Sequence, residues 1–190
     1  MKYRLLVLFV SLFFLVGCGA VTDNHSHATS ETPTDHDHST ETEEPYYLTF
    51  EAMTIDGEEM TSDVLADSKL TMINIWATYC NPCLSEMPDL GQIAASYDKA
   101  DFQLIGIVSD VTDTSSEKDI ENAKNLIVET QANYLHLLLN ESLYMNLVGG
   151  VDSVPTTFFV TDEGEVLGYV VGARDKESWV AIIEELLAEQ

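Results

Sequence analysis

Cys80 and Cys83 stand two residues apart where an apolar run gives way to a helical repeat, and few folds use such a junction. Leu70 to Ile75 is mostly apolar and reads as a buried strand. From Leu84 to Tyr97, the apolar residues Leu84, Met87, Leu90, Ile93 and Ala94 recur at helical spacing. The cysteine pair therefore sits where a strand enters the first turn of a helix. The thiolate is the reactive form of cysteine, and the unpaired N–H groups and positive dipole end of that turn stabilise it. At this spacing the sulfurs can close a small ring and cycle between dithiol and disulfide. A CxxC can also be half of a zinc site, but a four-cysteine site needs a second pair. The one remaining cysteine, Cys18, lies in a different context.

Trp76-Ala77-Thr78-Tyr79-Cys80-Asn81-Pro82-Cys83, followed by Glu86 and Pro88, resembles the thioredoxin superfamily. Within it, the stretch is similar to the membrane-tethered extracytoplasmic thiol–disulfide oxidoreductases of the TlpA/ResA type, whose usual pattern is W-A-T-W-C-x-P-C-x-x-E-x-P. A second stretch, Ser153-Val154-Pro155-Thr156-Thr157-Phe158, resembles the V/M-P-T-T-F of that family. The resemblance implies an α/β fold, a thioredoxin-like mixed sheet flanked by helices with an amino-terminal β-hairpin extension. It implies a cis peptide bond before Pro155, with Val154's backbone free to pair with an extended substrate segment. Cys80 is expected to be the exposed attacking thiolate and Cys83 the shielded thiol that resolves the mixed disulfide.

Glu86 matches a site glutamate of the ResA-like proteins. A partly buried carboxylate there raises the thiol pKa values and serves as proton donor or acceptor. The plainer reading is a solvent-facing glutamate near a helix start. Tyr79 keeps an aromatic platform where Trp is more usual, and Trp76 is either core or site wall. Asn74 occupies the position of thioredoxin's buried aspartate and cannot titrate, which leaves proton handling to Glu86 or water. The resemblance further implies reduction of disulfides outside the cytoplasm, with no cofactor. Candidate targets are the haem-attachment cysteines of apocytochromes c or another exported protein. Electrons would come from a membrane reductant of the CcdA/DsbD type. A general oxidant or isomerase is the alternative direction.

The first 18 residues suit a lipoprotein signal: Lys2 and Arg4, an apolar run from Leu5 to Val16, then Leu15-Val16-Gly17-Cys18 as a lipobox. Cys18 is the expected lipid attachment, an uncleaved signal anchor being the alternative. Either version holds the domain outside the cytoplasm at the bilayer. Residues 19–45 are dominated by Ser, Thr, Asp, Glu and His and are expected to form a disordered acidic tether. His25, His27, His36 and His38 lie there among carboxylates and offer weak metal ligands, or only polarity. A metal-handling lipoprotein using these histidines and the dithiol is thus the reading from another class. The chain carries 33 Asp and Glu against 8 Lys and Arg, a net charge of −25, which excludes nucleic acid as a partner.

Residues 46–190 are the expected thioredoxin-like domain, with strands at 46–55, 58–61, 69–76, 102–108, 134–139 and 166–171. Helices are expected from Thr114 through Glu129, with Ile120, Ala123, Leu126 and Ile127 inward, over Glu141–Leu147, and over Lys176–Leu187, with Ser62 capping a short turn. His136, on a strand, reads as structural. Sco-type copper proteins share such a fold but use CxxxC, one residue longer than here. Thiol peroxidases need P-x-x-x-T-x-x-C, and Ile73 and Ala77 occupy the proline and threonine positions, so peroxidase activity is not expected.

Overall fold

The computed structural model describes residues 44–190; the leader, Cys18 and the four tether histidines lie outside them. Strand β3 (Leu70–Trp76) is buried at every position, as its apolar run requires, and takes the centre of the sheet. It pairs in parallel with β4 (Phe102–Thr112) and antiparallel with β6 (Thr156–Thr161). Strands β5 (Leu135–Leu139) and β7 (Val166–Val171) complete the order β5-β4-β3-β6-β7. A separate two-stranded antiparallel sheet joins β1 (Glu51–Met53) and β2 (Glu59–Thr61). The mixed sheet with an amino-terminal hairpin is therefore present.

Alternation along the strands divides the core. Ile73, Ile75, Ile105, Ile107 and Leu137 face Leu48, Phe50, Leu65 and Leu143, the last from α3 (Glu141–Asn146). Met72, Leu104 and Phe159 face the opposite way. They meet Leu90 and Ile93 of α1 (Asn81–Ala94), and Trp179 and Ile183 of α4 (Lys176–Ala188). Helix α2 (Glu117–Glu129) is capped by Ser116, whose hydroxyl oxygen accepts from Asp119 N at 3.3 Å. Of its four expected inward residues only Ala123 is fully buried; Ile120, Leu126 and Ile127 are half-buried. No helix among the described residues is long and apolar enough to cross a membrane.

Several boundaries differ from expectation, and the clearest do so for local reasons. The strand expected at 46–55 pairs in three places: Tyr46–Leu48 with the turn entering β7 (Leu48 N to Gly164 O, 2.8 Å), Glu51–Met53 with β2, and Thr54–Ile55 with β5 (Ile55 N to His136 O, 2.9 Å). The 3-10 turn at Ser62–Asp67 is capped by Thr61 rather than Ser62, because Thr61 is extended and its oxygen accepts from Asp63 N. Strand β4 continues past Val108 through an irregular register to Thr112, which carries Ser109 and Asp110 toward the loop before α1.

Asn74, Gly106 and His136 align across β3, β4 and β5. The His136 ring lies over Gly106, so a Cβ there would fall inside the imidazole. His136 Nδ1 accepts from Trp76 Nε1 at 3.2 Å, which leaves Nε2–H to donate to Ala132 O at 3.0 Å. Both residues are buried, so Trp76 belongs to the core and His136 is structural. Gly106→Ala must displace that ring, and a loss of about 2 kcal/mol is expected in chemical denaturation.

Burial pushes the His136 pKa down to about 4. The folded state thus refuses a proton that the unfolded chain accepts near pH 6.5. Stability is present above that pH and is lost as pH falls toward 4, by about 3 kcal/mol for a shift of this size. Denaturation midpoints measured across this window should show the slope in the native chain and lack it in His136→Leu.

Candidate active site

Cys80 is the N-cap of α1, and Pro82 sits in its first turn, where a missing N–H costs little. Cys80 and Cys83 form a disulfide with Cα atoms 5.3 Å apart. Cys83 N donates to Cys80 Sγ at 3.2 Å, as the electropositive helix start requires. Cys83 is fully buried and Cys80 is 6% exposed, so the sulfur expected to be exposed is nearly covered in the disulfide. Tyr79 beside it is 74% exposed.

The peptide bond between Val154 and Pro155 is cis, and Cys80 Sγ lies 3.6 Å from Val154 O. Val154 makes no backbone–backbone hydrogen bond among the described residues. The fold thus brings Cys80, Cys83, Tyr79, Val154 and Pro155 to one end of the sheet, where β3 ends and β6 begins.

Glu86 is 3% exposed, which removes the solvent-facing reading. Its Oε1 accepts from Asn74 Nδ2 at 3.2 Å; its Oε2 accepts from Arg174 N at 3.1 Å and Trp179 Nε1 at 3.3 Å. Burial pushes the Glu86 carboxyl above the usual carboxylate range, against the pull of these donors and of the Arg174 charge. Asn74 Nδ2 also donates to Thr157 Oγ1 at 3.0 Å. Asn74 Oδ1 and Tyr134 Oη are buried without a hydrogen-bond partner among the described residues.

Several of these partners were not legible beforehand. Trp179 and Arg174 reach Glu86 from the far end of the chain. Asp110 accepts from Thr78 N at 2.9 Å and from Thr78 Oγ1 at 2.5 Å, pinning the loop just before Cys80. Ser109 Oγ donates to Trp76 O at 3.0 Å on the same loop. An acid at the end of a buried strand was the available signal for Asp110. Nothing local marked Trp179. No cluster of metal-ligating side chains occurs among the described residues.

Known proteins share this sequence and this fold. The chain is 23% identical over 118 residues to the thiol-disulfide oxidoreductase ResA of Bacillus thuringiensis, covering 62% of this chain and 64% of that protein. It is 30% identical over 125 residues to the thiol:disulfide interchange protein HelX of Rhodobacter capsulatus, covering 65% and 64%. The chain thus spans less than two thirds of the length of these relatives. A crystal structure of a thioredoxin family thiol:disulfide interchange protein from Chlorobium tepidum superposes with a TM-score of 0.63 at 26% identity. That match covers 76% of this chain and 97% of the other. The AhpC/TSA family model matches residues 47–168, spanning both the CxxC and the cis-proline. Ile73 and Ala77 still leave the chain without the peroxidatic pattern. With its thioredoxin-like sheet and this match over most of its length, the chain belongs to the AhpC/TSA family.

Proposed function

We propose that the protein is a thiol–disulfide oxidoreductase that works as a reductase outside the cytoplasm, held to the membrane by lipid on Cys18. The observation that carries the reading is the Cys80–Cys83 disulfide at the start of α1, with Cys80 Sγ against the Val154 carbonyl. The names of the ResA and HelX relatives support the same chemistry.

In the reduced protein the Cys80 thiolate attacks one sulfur of a target disulfide and expels the other as a thiolate. The target's extended segment pairs with the backbone of Val154. Glu86 takes the Cys83 proton at Oε1, the oxygen with a free lone pair, since Oε2 already accepts two hydrogen bonds. Cys83 then attacks Cys80 Sγ, the second target thiolate leaves, and two electrons have passed from the dithiol to the target. A membrane thiol reductant of the CcdA/DsbD type restores the dithiol. Apocytochrome c cysteines, or another exported protein, are the proposed targets.

Insulin reduction by the chain tests the activity, and removing residues 19–44 should leave its rate unchanged. A large loss on that deletion would make the tether part of the site. Cys18→Ser should release the protein from the membrane fraction and abolish labelling by a fatty acid. Retention of both would rule out the lipid anchor.

A further inference from the structure

Strand β7 is an edge of the five-stranded sheet, and one of its faces is bare among the described residues. Leu167, Tyr169 and Val171 alternate along it, 39%, 64% and 51% exposed. The Tyr169 ring leans on Phe158 of β6, with centroids 5.4 Å apart.

The backbone is open on the same strand. Gly172 N donates to Pro155 O at 2.8 Å, and Val170 and Gly168 stand opposite Thr157 and Phe159. In an antiparallel pair the bonding residues alternate. The N–H and C=O groups of Tyr169 and Val171 therefore point away from β6, along an edge that is free among the described residues. Among the described residues, the backbone of Tyr46 to Leu48 reaches β7 only at its start, through Val166 N and Gly164 O.

Charge separates this edge from the rest of the molecule. No acidic residue occurs from Ser153 to Thr161 or from Val166 to Arg174, in a chain with 33 Asp and Glu and a net charge of −25. An acid-free strip whose ladder is open among the described residues is unusual on so acidic a protein. Two such chains repel one another, which disfavours a second copy as occupant. The strip joins the cis-proline loop through the Gly172–Pro155 bond, so whatever lies across Val154 can continue along it.

We propose that the β7 edge is a docking strand for the target protein, taking an extended, uncharged or basic segment rich in aliphatic or aromatic residues beside the target disulfide. This rests on the reading of Cys80 and Cys83 as the reducing pair. Backbone pairing at Tyr169 and Val171 supplies affinity, and the Leu167-Tyr169-Val171 face selects apolar side chains.

The test compares a protein disulfide, insulin, with a small one, 5,5′-dithiobis(2-nitrobenzoic acid), in the full chain. Tyr169→Asp should raise KM for insulin about tenfold, as loss of an aromatic anchor does. The rate with the small disulfide should stay unchanged, and Tyr169→Phe should behave as the native chain. Unchanged insulin kinetics in Tyr169→Asp would overturn the proposal. Equal loss on both substrates would also overturn it, since the face would then act on the dithiol and not on the partner. A native-chain dimer in sedimentation that Tyr169→Asp disperses would give the face to a second copy. A native chain inert toward the small disulfide would overturn the reducing pair itself, before any variant is compared.

Discussion

Cys80→Ser is expected to reduce insulin no faster than buffer alone, while folding as the native chain does. A serine hydroxyl does not ionise at neutral pH, so the helix start that stabilises a thiolate has nothing to act on. Cys83→Ser is expected to fail differently. Its Cys80 still attacks, but no neighbouring thiol can release the target, so a covalent mixed disulfide accumulates. Gel shifts that collapse on adding dithiothreitol would show it. The asymmetry follows from burial: Cys83 is fully buried, whereas Cys80 keeps 6% of its surface exposed. Were Cys83→Ser to turn over insulin, or Cys80→Ser to trap a target, the assignment of the two sulfurs would be reversed.

Glu86→Leu is expected to be the most destabilising change at the site, by roughly 3 to 5 kcal/mol. It orphans one Asn74 amide N–H, the Arg174 backbone N–H and the Trp179 indole together, all of which now converge on one carboxylate. Relief of the buried charge offsets only part of that. Glu86→Gln keeps an oxygen for Arg174 and Trp179 and should be much milder.

The sign of the pH effect separates the two variants further. Burial raises the folded pKa of Glu86, so its contribution is fully present below the ordinary value of 4.5 and is lost as pH rises through the folded value. The Gln variant should therefore gain on the native chain as pH rises from about 4.5, in chemical denaturation of the oxidised proteins. His136 acts with the opposite sign over part of this window, and because both chains contain it, the comparison cancels it. A gain that grew as pH fell would mean Glu86 is stabilised as an anion.

How much of this was legible depended on how local the cause is. The strand–CxxC–helix junction and the Val154-Pro155-Thr156 stretch are each written in consecutive residues, and the fold brings them together. Glu86 was visible as a residue, since it stands three positions after Cys83. Its burial was not, because the donors that hold it come from Arg174 and Trp179, 88 and 93 residues further on. Asn74 read as a missing acid; in the fold it is the donor that links Glu86 to Thr157. Gly106 carries no local mark of its role; it is His136, on the next strand in both sequence and sheet, that occupies its space. The bare face of β7 could not be read from alternation alone. Alternation says that two faces differ and leaves open whether anything covers the second.

The measurement closest to the central claim is the reduction potential of the Cys80–Cys83 couple, by equilibration of the protein against glutathione or dithiothreitol buffers. A buried carboxylate one turn beyond Cys83 disfavours the thiolate, and a pair that holds its thiolate poorly is a better reductant. The account predicts a value near or below that of thioredoxin, about −270 mV. A value of about −180 to −120 mV, the range from protein disulfide isomerase to DsbA, would mean a pair that gives its disulfide away, and would reverse the proposed direction of electron flow.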